Sequence, residues 1–576
     1  MVLKDDVVFI VDKQDHFLLF EKPLFEVSVV KLADLKESLR VVDEFVREKL
    51  YVCGFISYEA GYSILNLPAK AVDDRLPILW FGAFLKPKLV EVTTSGGNYS
   101  ISNIGPSLDL KEYLEKVDIL KRYVKDGYTY QVNFTFKLFF DFDGDPLAFF
   151  LDLRRKQRVK YARFVKYYDV YILSVSPELF FSVKGDKIVT KPMKGTIRRG
   201  RFLEEDLLLM RTLKMSEKDR AENLMITDLL RNDIGSISKF GSVGVRKMFE
   251  VERYETVFQM TSTVEGNLRE GVKFSDVVIN LFPGGSITGA PKRKTVEIIS
   301  EVETLPRGIY TGTIGYISPN GFSEFNVAIR TPIICGSRGE MGVGSGITWY
   351  SEPEDEYKEC LLKSDFLVSK PHPEFELVET ILLRNHRLCL LKYHLSRLKK
   401  SAEYFSFRYN RKVIIEKLRR VAELGGKFKL RLLLSREGRV RVEVKKFETV
   451  KKRGFVRLSE DRVDSKNKFL YHKTTNREVY DYYTRKAREE RLVDYVFLNE
   501  DGYVTEGSIN NIIIFSGGKF ITPDRRSGLL RGTMLEYLSR KYGIVEEFIT
   551  LRDLLGSERV FMCNSVSGIK EVKVII

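Results

Sequence analysis

No uninterrupted apolar run in the 576 residues reaches the roughly 20 needed to span a bilayer, so no membrane-spanning helix is expected. The opening stretch, MVLKDDVVFIVDKQDH, is acidic within its first turn and lacks an apolar signal core, and no secretory signal is expected from it. Cysteine is sparse: Cys53, Cys335, Cys360, Cys389 and Cys563 are scattered, with no CxxC pair and no metal-ligand spacing. That excludes a disulfide framework or a structural zinc site and predicts a reduced, cytoplasmic chain. None of the five sits in a Gly-x-Cys-x-Gly setting, so the chain has no glutaminase nucleophile of that kind. Internal repeats and low-complexity tracts are absent. The net charge of +16 would suit a nucleic-acid binder, yet its basic residues are interspersed with acids, as in KAREERLVDY, and gathered in no arm or aromatic-flanked stripe. Nucleic acid is therefore not expected, and steering of small anionic substrates is the milder reading.

Hydrophobic residues at 44% and charged residues at 30% describe a globular chain too long for one core. Pro371, His372 and Pro373 disfavour helix and mark a linker. The expected domains are residues 1–370 and 375–576, joined by 371–374. Upstream, DVYILSV, ELFFSVKGDKIVT and RGIYTGTIGYIS alternate like strands with tight turns, and EEDLLLMRTLKMSEKDRAENLMITDLLRN reads as the longest helical stretch. Downstream, HLSRLKKSAEYFSF and TNREVYDYYTRKAREERL are helical, and DYVFLNEDGYVTEGSINNIIIF is a hairpin with a further strand. Both halves mix α and β without a regular βαβ period, which predicts an α+β chain.

Two acidic pairs share one spacing. Asp219 and Glu222, like Glu356 and Glu359, lie three apart on predicted helices, and Lys363 follows the second pair by a turn. Such pairs can hold a hard divalent cation such as Mg²⁺; spacing alone suits a solvated helix face more readily. In SPELFFSVKGDKIVTKPMKGT, a turn at Lys184–Lys187 brings Glu178 and Lys194 to the open end of a hairpin. There they form either an ordinary cross-strand ion pair, or a general acid beside an amine nucleophile if burial lowers the lysine pKa. Pro192 is expected to distort the pairing. The glycine-rich FPGGSITGAPK and GVGSGIT lack GxxxxGK[ST] and GxGxxG spacing, which excludes a nucleotide cradle and leaves close backbone approach to a compact ligand.

DGYTYQVNFT, SPELFF, KPMKGT, KDRAENLMITDLLRNDIG, FPGGSITGAPK, RGIYTGTIGY, FNVAIRT, GVGSGIT and EYKECLLK run in the order seen in the chorismate-utilising enzymes, and residues 50–370 resemble that family. The family includes the large subunits of anthranilate and aminodeoxychorismate synthases. The resemblance implies a two-layer α/β sandwich of antiparallel sheets. It also implies Mg²⁺ on Glu222 and Glu359, with Asp219 and Glu356 as water-mediated partners, neutralising the ring carboxylate of chorismate. Arg330 and Tyr310 would contact the enolpyruvyl carboxylate, and Thr288, Gly346 and Lys363 would line the pocket. KPMKGT selects within the family: anthranilate synthases resemble PIAGT there, whereas a lysine resembles the aminodeoxychorismate synthases. In that chemistry Lys194 attacks carbon 2, Glu178 protonates the departing 4-hydroxyl, and ammonia then displaces the lysine at carbon 4. Gln259 stands where anthranilate synthases have His, and LLKSDF replaces the usual Asn-Lys-Ala ending. Ammonia would come from a separate glutamine amidotransferase subunit or from solution.

In the second half, Lys473 precedes a helix in YHKTTNREVYDYY, Glu506 sits beside a turn, and Gly532 and Thr533 open a helix whose free N–H groups suit a phosphate. With Arg397, this set suits pyridoxal phosphate. The order of these motifs, together with CNSVSGIKEV, resembles the fold-type IV pyridoxal phosphate enzymes, which include branched-chain and D-amino-acid aminotransferases and aminodeoxychorismate lyase. The resemblance implies Lys473 on the cofactor aldehyde, Glu506 on its pyridine nitrogen, and Arg397, Gly532 and Thr533 on its phosphate. A homodimer through this domain is expected as well. Joined to the first half, such a lyase would eliminate pyruvate and give p-aminobenzoate, the folate precursor. The alternatives are an anthranilate synthase joined to an aminotransferase-like domain, and a non-catalytic subunit of a folate-pathway complex.

Overall fold

The computed structural model describes residues 5–13, 16–68, 72–91, 97–369, 374–447 and 454–576. Contacts divide the chain into two compact units, Met1–Arg198 with Met210–His372, and Arg199–Leu209 with Pro373–Ile576. The expected linker falls at residues 371–374, of which 371–373 lie outside the described residues. No helix among the described residues is long and apolar enough to cross a membrane.

The first unit is built from two ten-stranded sheets whose pairings are all antiparallel, as the expected α+β sandwich requires. The strand Gln131–Gly144 is buried almost continuously at its start, then alternates, with Phe139 and Asp141 outward and Phe140 and Phe142 inward. That change follows from its place: the N-terminal half lies between two layers, and only the C-terminal half has a solvent face. Its start pairs with the end of Arg338–Ile347, Asn133 facing Gly346, and with Gly289–Ala290.

The other sheet carries the hairpin Leu179–Lys184 and Lys187–Lys191. Lys184 pairs with Lys187 around Gly185, whose φ of 63° is the left-handed conformation a tight turn needs. A bulge between Leu179 and Ser182 changes the register, so that Leu179 faces Lys191. Pro192 has no N–H to donate; the chain leaves its hairpin partner there and continues as Met193–Arg198 along the strand Val257–Asn267. The expected long helix is two helices, Leu203–Met215 and Glu217–Gly235. Ser216 breaks it, because its extended backbone and its hydroxyl, which accepts from the Asp219 N–H, make it an N-cap.

The second unit contains a four-stranded antiparallel sheet and an eight-stranded mixed sheet, with parallel pairing of Phe455–Val463 to Asp494–Asn499 and to Gly568–Ile575. Arg199–Leu209, which the sequence reading keeps in the first domain, belongs here instead. Arg199 pairs with the fully buried Asp206 at 2.6 Å and donates to the Tyr404 carbonyl at 2.9 Å. The Phe202 ring lies 5.3 Å from that of Tyr471 and beneath the Arg525 guanidinium. Tyr404 donates to the Gly200 carbonyl at 2.6 Å. The hydrogen bonds to Tyr404 and the aromatic anchor on Tyr471 and Arg525 outweigh sequence order in deciding where this segment packs, while the Arg199–Asp206 ion pair holds the segment itself together.

Candidate active sites

In the first unit, Lys194 is the second residue of the strand Met193–Arg198 that follows Pro192. Its ammonium donates to Asn133 Oδ1 at 3.1 Å, so it reaches across to the opposite sheet and is not the ordinary cross-strand partner of Glu178. A Cβ on Gly346 would stand 3.1 Å from the same ammonium and 2.2 Å from Gln131 Nε2; a side chain there would close the space around the lysine. Gly195, at φ 91°, lets the strand press on the helix Glu217–Gly235, where a Cβ would meet Asp219 at 2.9 Å. Asn223 fixes that helix to the strand by donating to the carbonyls of Lys194 and Met260.

Electrostatically, Lys194 is pulled in two directions. Burial lowers its pKa and Lys363 adds to the effect; Glu222 foremost, then Glu178 and Glu359, oppose it, and the net result is below the ordinary lysine value. Glu178 is buried, and burial lifts its carboxyl to about 7 against the hydrogen bond from Ser286 and the charge of Lys194. A carboxyl protonated near neutrality beside an amine of lowered pKa is the acid and nucleophile combination that the hairpin spacing left open.

The two acidic pairs lie near one another. Burial raises Glu222, with Lys194 opposing and Asp219 and Glu356 contributing as like charges. Glu359 is drawn below its ordinary value because Lys363, at 2.7 Å, and Lys194 outweigh burial. Among the described residues no three such side chains converge into a preformed metal cage. The donors are all carboxylate oxygens, the chemistry a Mg²⁺ ion takes while keeping several waters.

Arg330 holds an unusual position for a cation. Its backbone is left-handed, with φ of 50°, its guanidinium donates to Gln157 Oε1, and burial lowers its pKa to about 10 against the opposing influence of the Tyr254 phenol. An Arg buried against neutral groups is prepared to receive an anion. Tyr310 is buried, and its ring fills the space that a Cβ on Gly342 would occupy. The Thr288 hydroxyl is already committed to the Gly284 carbonyl at 2.9 Å, and its own carbonyl receives the Asn133 N–H, so Thr288 shapes the loop. Lys363 also donates to the Gly344 carbonyl at 3.0 Å.

Sequence reasoning did not single out Asn133, Gln131 or Ser286. Asn133 receives Lys194 and donates to the Ser286 carbonyl at 2.6 Å; the Gln131 side-chain oxygen is buried and has no hydrogen-bond partner among the described residues. The signal was their place in YQVNFT and GGSITG, where polar residues interrupt apolar strand and turn; nothing local marks which way they face.

The second unit encloses a cavity of about 820 Å³ lined by Lys473, Glu506, Arg397, Gly532 and Thr533 among others, so its sequence-predicted residues do meet. Burial lowers Lys473 to about 7, assisted by Arg477 and Arg397 and opposed by Glu379 and Glu506. Burial lifts Glu506 to about 8, although it accepts from the Leu530 N–H and the Asn511 amide, both at 3.0 Å. The turn after Glu506 folds around buried Asp494, which accepts from the N–H groups of Ser508, Ile509 and Asn510 and from both polar side chains. This explains why EGSINN is rich in small polar residues. Gly532 caps the helix Thr533–Tyr542 without a side-chain bond, and a Cβ there would stand 1.8 Å from Asn511 Oδ1. Arg397 is gripped by buried Glu379 at 2.9 and 2.7 Å, which leaves part of its fork to face the cavity. His472, next to Lys473, is pushed by burial to about 3 and is neutral; its ring bonds Ser401 and the Arg201 carbonyl.

Residues 86–369 match the family model described as chorismate binding enzyme, and residues 376–575 match the model for amino-transferase class IV. An anthranilate synthase component 1 of Haloarcula marismortui is 41% identical over 389 residues, covering 58% of this chain and 77% of that protein. A chloroplastic aminodeoxychorismate synthase of Arabidopsis thaliana is 41% identical over 307 residues, 52% of this chain. The aminodeoxychorismate synthase component 1 of Bacillus subtilis is 38% identical over 252 residues, 44% of this chain. The chain spans 32% of the length of the plant relative and 54% of the Bacillus one. Among solved structures, anthranilate synthase component I from Streptococcus pneumoniae has the same fold over 64% of this chain and 93% of its own, with a TM-score of 0.52 at 24% identity. Fold, motifs and sequence similarity agree that this chain belongs to the chorismate binding enzymes and carries an amino-transferase class IV domain behind the chorismate-binding one.

Proposed function

We propose that the chain makes p-aminobenzoate in two steps, one in each unit. In the first, chorismate and ammonia give 4-amino-4-deoxychorismate and water; in the second, that compound loses pyruvate. The observation that carries this reading is Lys194, an amine of lowered pKa held by Asn133 where anthranilate synthases resemble PIAGT, with the buried acid Glu178 beside it. The Lys194 amine bonds carbon 2 of chorismate as the ring double bonds shift and the 4-hydroxyl departs, taking the Glu178 proton to leave as water. Ammonia then bonds carbon 4, the double bonds shift back, and the lysine is released. Arg330 and Tyr310 receive the enolpyruvyl carboxylate. Mg²⁺ would be held by Glu222 and Glu359, with Asp219 and Glu356 through water, and supplies positive charge to the ring carboxylate.

The second unit's residues fit pyridoxal phosphate. Lys473 offers a neutral amine near pH 7, Glu506 a carboxyl for the pyridine nitrogen, and Gly532, Thr533 and Arg397 N–H donors for the phosphate. When bound, the cofactor supplies an electron sink. Lys473 then takes the proton from carbon 4 of the substrate, and the electrons released expel pyruvate as the ring becomes aromatic. Ammonia would come from a separate glutamine amidotransferase subunit or from solution. Association into a homodimer through the second unit belongs to the same reading and is checked by light scattering.

The test is to incubate the protein with chorismate, ammonium, Mg²⁺ and pyridoxal phosphate and identify the products by chromatography. Equal amounts of p-aminobenzoate and pyruvate are expected. Anthranilate as the aromatic product would overturn the reading in favour of the activity named in the Haloarcula relative.

A further inference from the structure

The second unit's cavity has cations that the proposed cofactor does not use. Lys427 and Lys429 lie two apart on the strand Lys427–Leu434, so their side chains share one face. Lys445 pairs directly with Lys429 on the neighbouring strand Val440–Lys446. From the helix Glu478–Glu489 comes Arg488, and from just before it Arg477; Lys427, Lys429, Arg477 and Arg488 all line the cavity. Arg477 is anchored, donating to Asp481 at 2.8 Å and to the Ser508 carbonyl. Lys429 and Arg488 are exposed, and among the described residues neither has an ion-pair partner within 4.0 Å, in a unit whose surface cations are commonly paired. The charges acting on Lys429 are Arg488, Lys445, Arg431 and Arg477, all of one sign.

Crowding like charges at a concave surface raises the energy of the empty protein, and an anion relieves it. The cluster is made by other elements than the phosphate cradle at Gly532, Thr533 and Arg397. A cavity of about 820 Å³ also lies toward the upper end of the range of ligand sites, ~300–1,000 Å³, and has room for a substrate beside the cofactor. We propose that Lys429, Arg488 and Arg477 form a carboxylate subsite at the cavity mouth, which makes the second unit selective for amines bearing two carboxylates over monocarboxylate amines. This inference rests on the pyridoxal phosphate reading of the same cavity. It deepens that reading by giving the substrate class, to which 4-amino-4-deoxychorismate, with its two carboxylates, belongs.

The experiment titrates the full-length protein calorimetrically with isophthalate, a dicarboxylate, and with benzoate, its monocarboxylate counterpart, both with and without pyridoxal phosphate. Isophthalate is expected to bind at least about ten-fold more tightly. In the double variant Lys429→Gln/Arg488→Gln the two should fall within about two-fold of each other, with benzoate affinity and the cofactor absorbance unchanged. Lys429→Arg should restore the preference, and KM for the diacid substrate should rise in the double variant with kcat nearly constant. Equal binding of the two probes by the unaltered protein, or a preference that survives the double variant, overturns the proposal. Absence of any cofactor absorbance that depends on Lys473 would instead defeat the pyridoxal phosphate reading, and the probe titration without cofactor would still judge the cluster.

Discussion

Lys194 and Lys473 are both lysines drawn below their ordinary pKa by burial, and they differ in what surrounds them. Around Lys194 the strongest opposing influence is an acid, Glu222, with Glu178 and Glu359 behind it. Around Lys473 the largest influences after burial are two arginines, Arg477 and Arg397, which push the same way as burial and leave the amine at about 7. Equal depth therefore produces different chemistry. One lysine sits among carboxylates that work against the loss of its proton; the other has arginines that work with burial to release it. The acids differ in parallel: Glu178 at about 7 is poised to give a proton, and Glu506 at about 8 to share one.

Removing each lysine breaks this comparison most directly. Lys473→Ala should lower pyruvate release by ~10³-fold or more and abolish the cofactor absorbance, while 4-amino-4-deoxychorismate accumulates. Retention of p-aminobenzoate formation would show that the second lysine does no chemistry. Lys194→Ala should have the mirror effect, a loss of ~10³-fold in use of chorismate with unchanged turnover of 4-amino-4-deoxychorismate supplied from outside. An unimpaired variant would refute the covalent role.

The segment Arg199–Leu209 sharpens the comparison by stability. Asp206→Ala would leave Arg199 buried without its carboxylate, and such losses cost about 3–5 kcal/mol. Scanning calorimetry should show the second unit's transition moved down and the first unit's transition little changed; the reverse would return the segment to the first unit.

The smallest effect is in pH. Capture of pyridoxal phosphate by apo-protein needs the neutral Lys473 amine, so its rate should fall about ten-fold per pH unit below about 7 and level off above it. The linkage has a definite sign. Lys473 titrates near 7 when folded and near 10.5 when unfolded, so its burial cost is full below about 7 and gone above 10.5. Lys473→Met should therefore stabilise the apo-protein most at neutral and lower pH, and the gain should shrink as pH rises toward 10.5. A pH-independent difference in melting temperature would contradict the lowered pKa.

Much of both sites was legible because it depends on local rules. The turn at Lys184–Lys187, the helix start at Gly532 and the shared face of Asp219 and Glu222 follow from φ preferences, capping and the helical period. What was not legible is long-range. The ordinary ion pair between Glu178 and Lys194 gives way to Asn133, which is 61 residues from Lys194 and belongs to the other sheet. The long helix breaks at Ser216 because a hydroxyl could cap there, although the apolar period reads straight through. Arg199–Leu209 packs with the second unit because its partners, Tyr404, Tyr471 and Arg525, lie about 200 residues or more away along the chain.

The sequence by itself determined the two mixed α and β halves, the residue types at both candidate sites and the lysine on which the proposed choice of aromatic product rests. These are properties of order, spacing and side-chain chemistry. Only the tertiary structure decided which carboxylates surround each lysine, which amide receives Lys194, and that Lys429 and Arg488 line one cavity, neither with an ion-pair partner among the described residues. Burial and charge act through space, and that neighbourhood exists only once strands distant in the chain have been brought together.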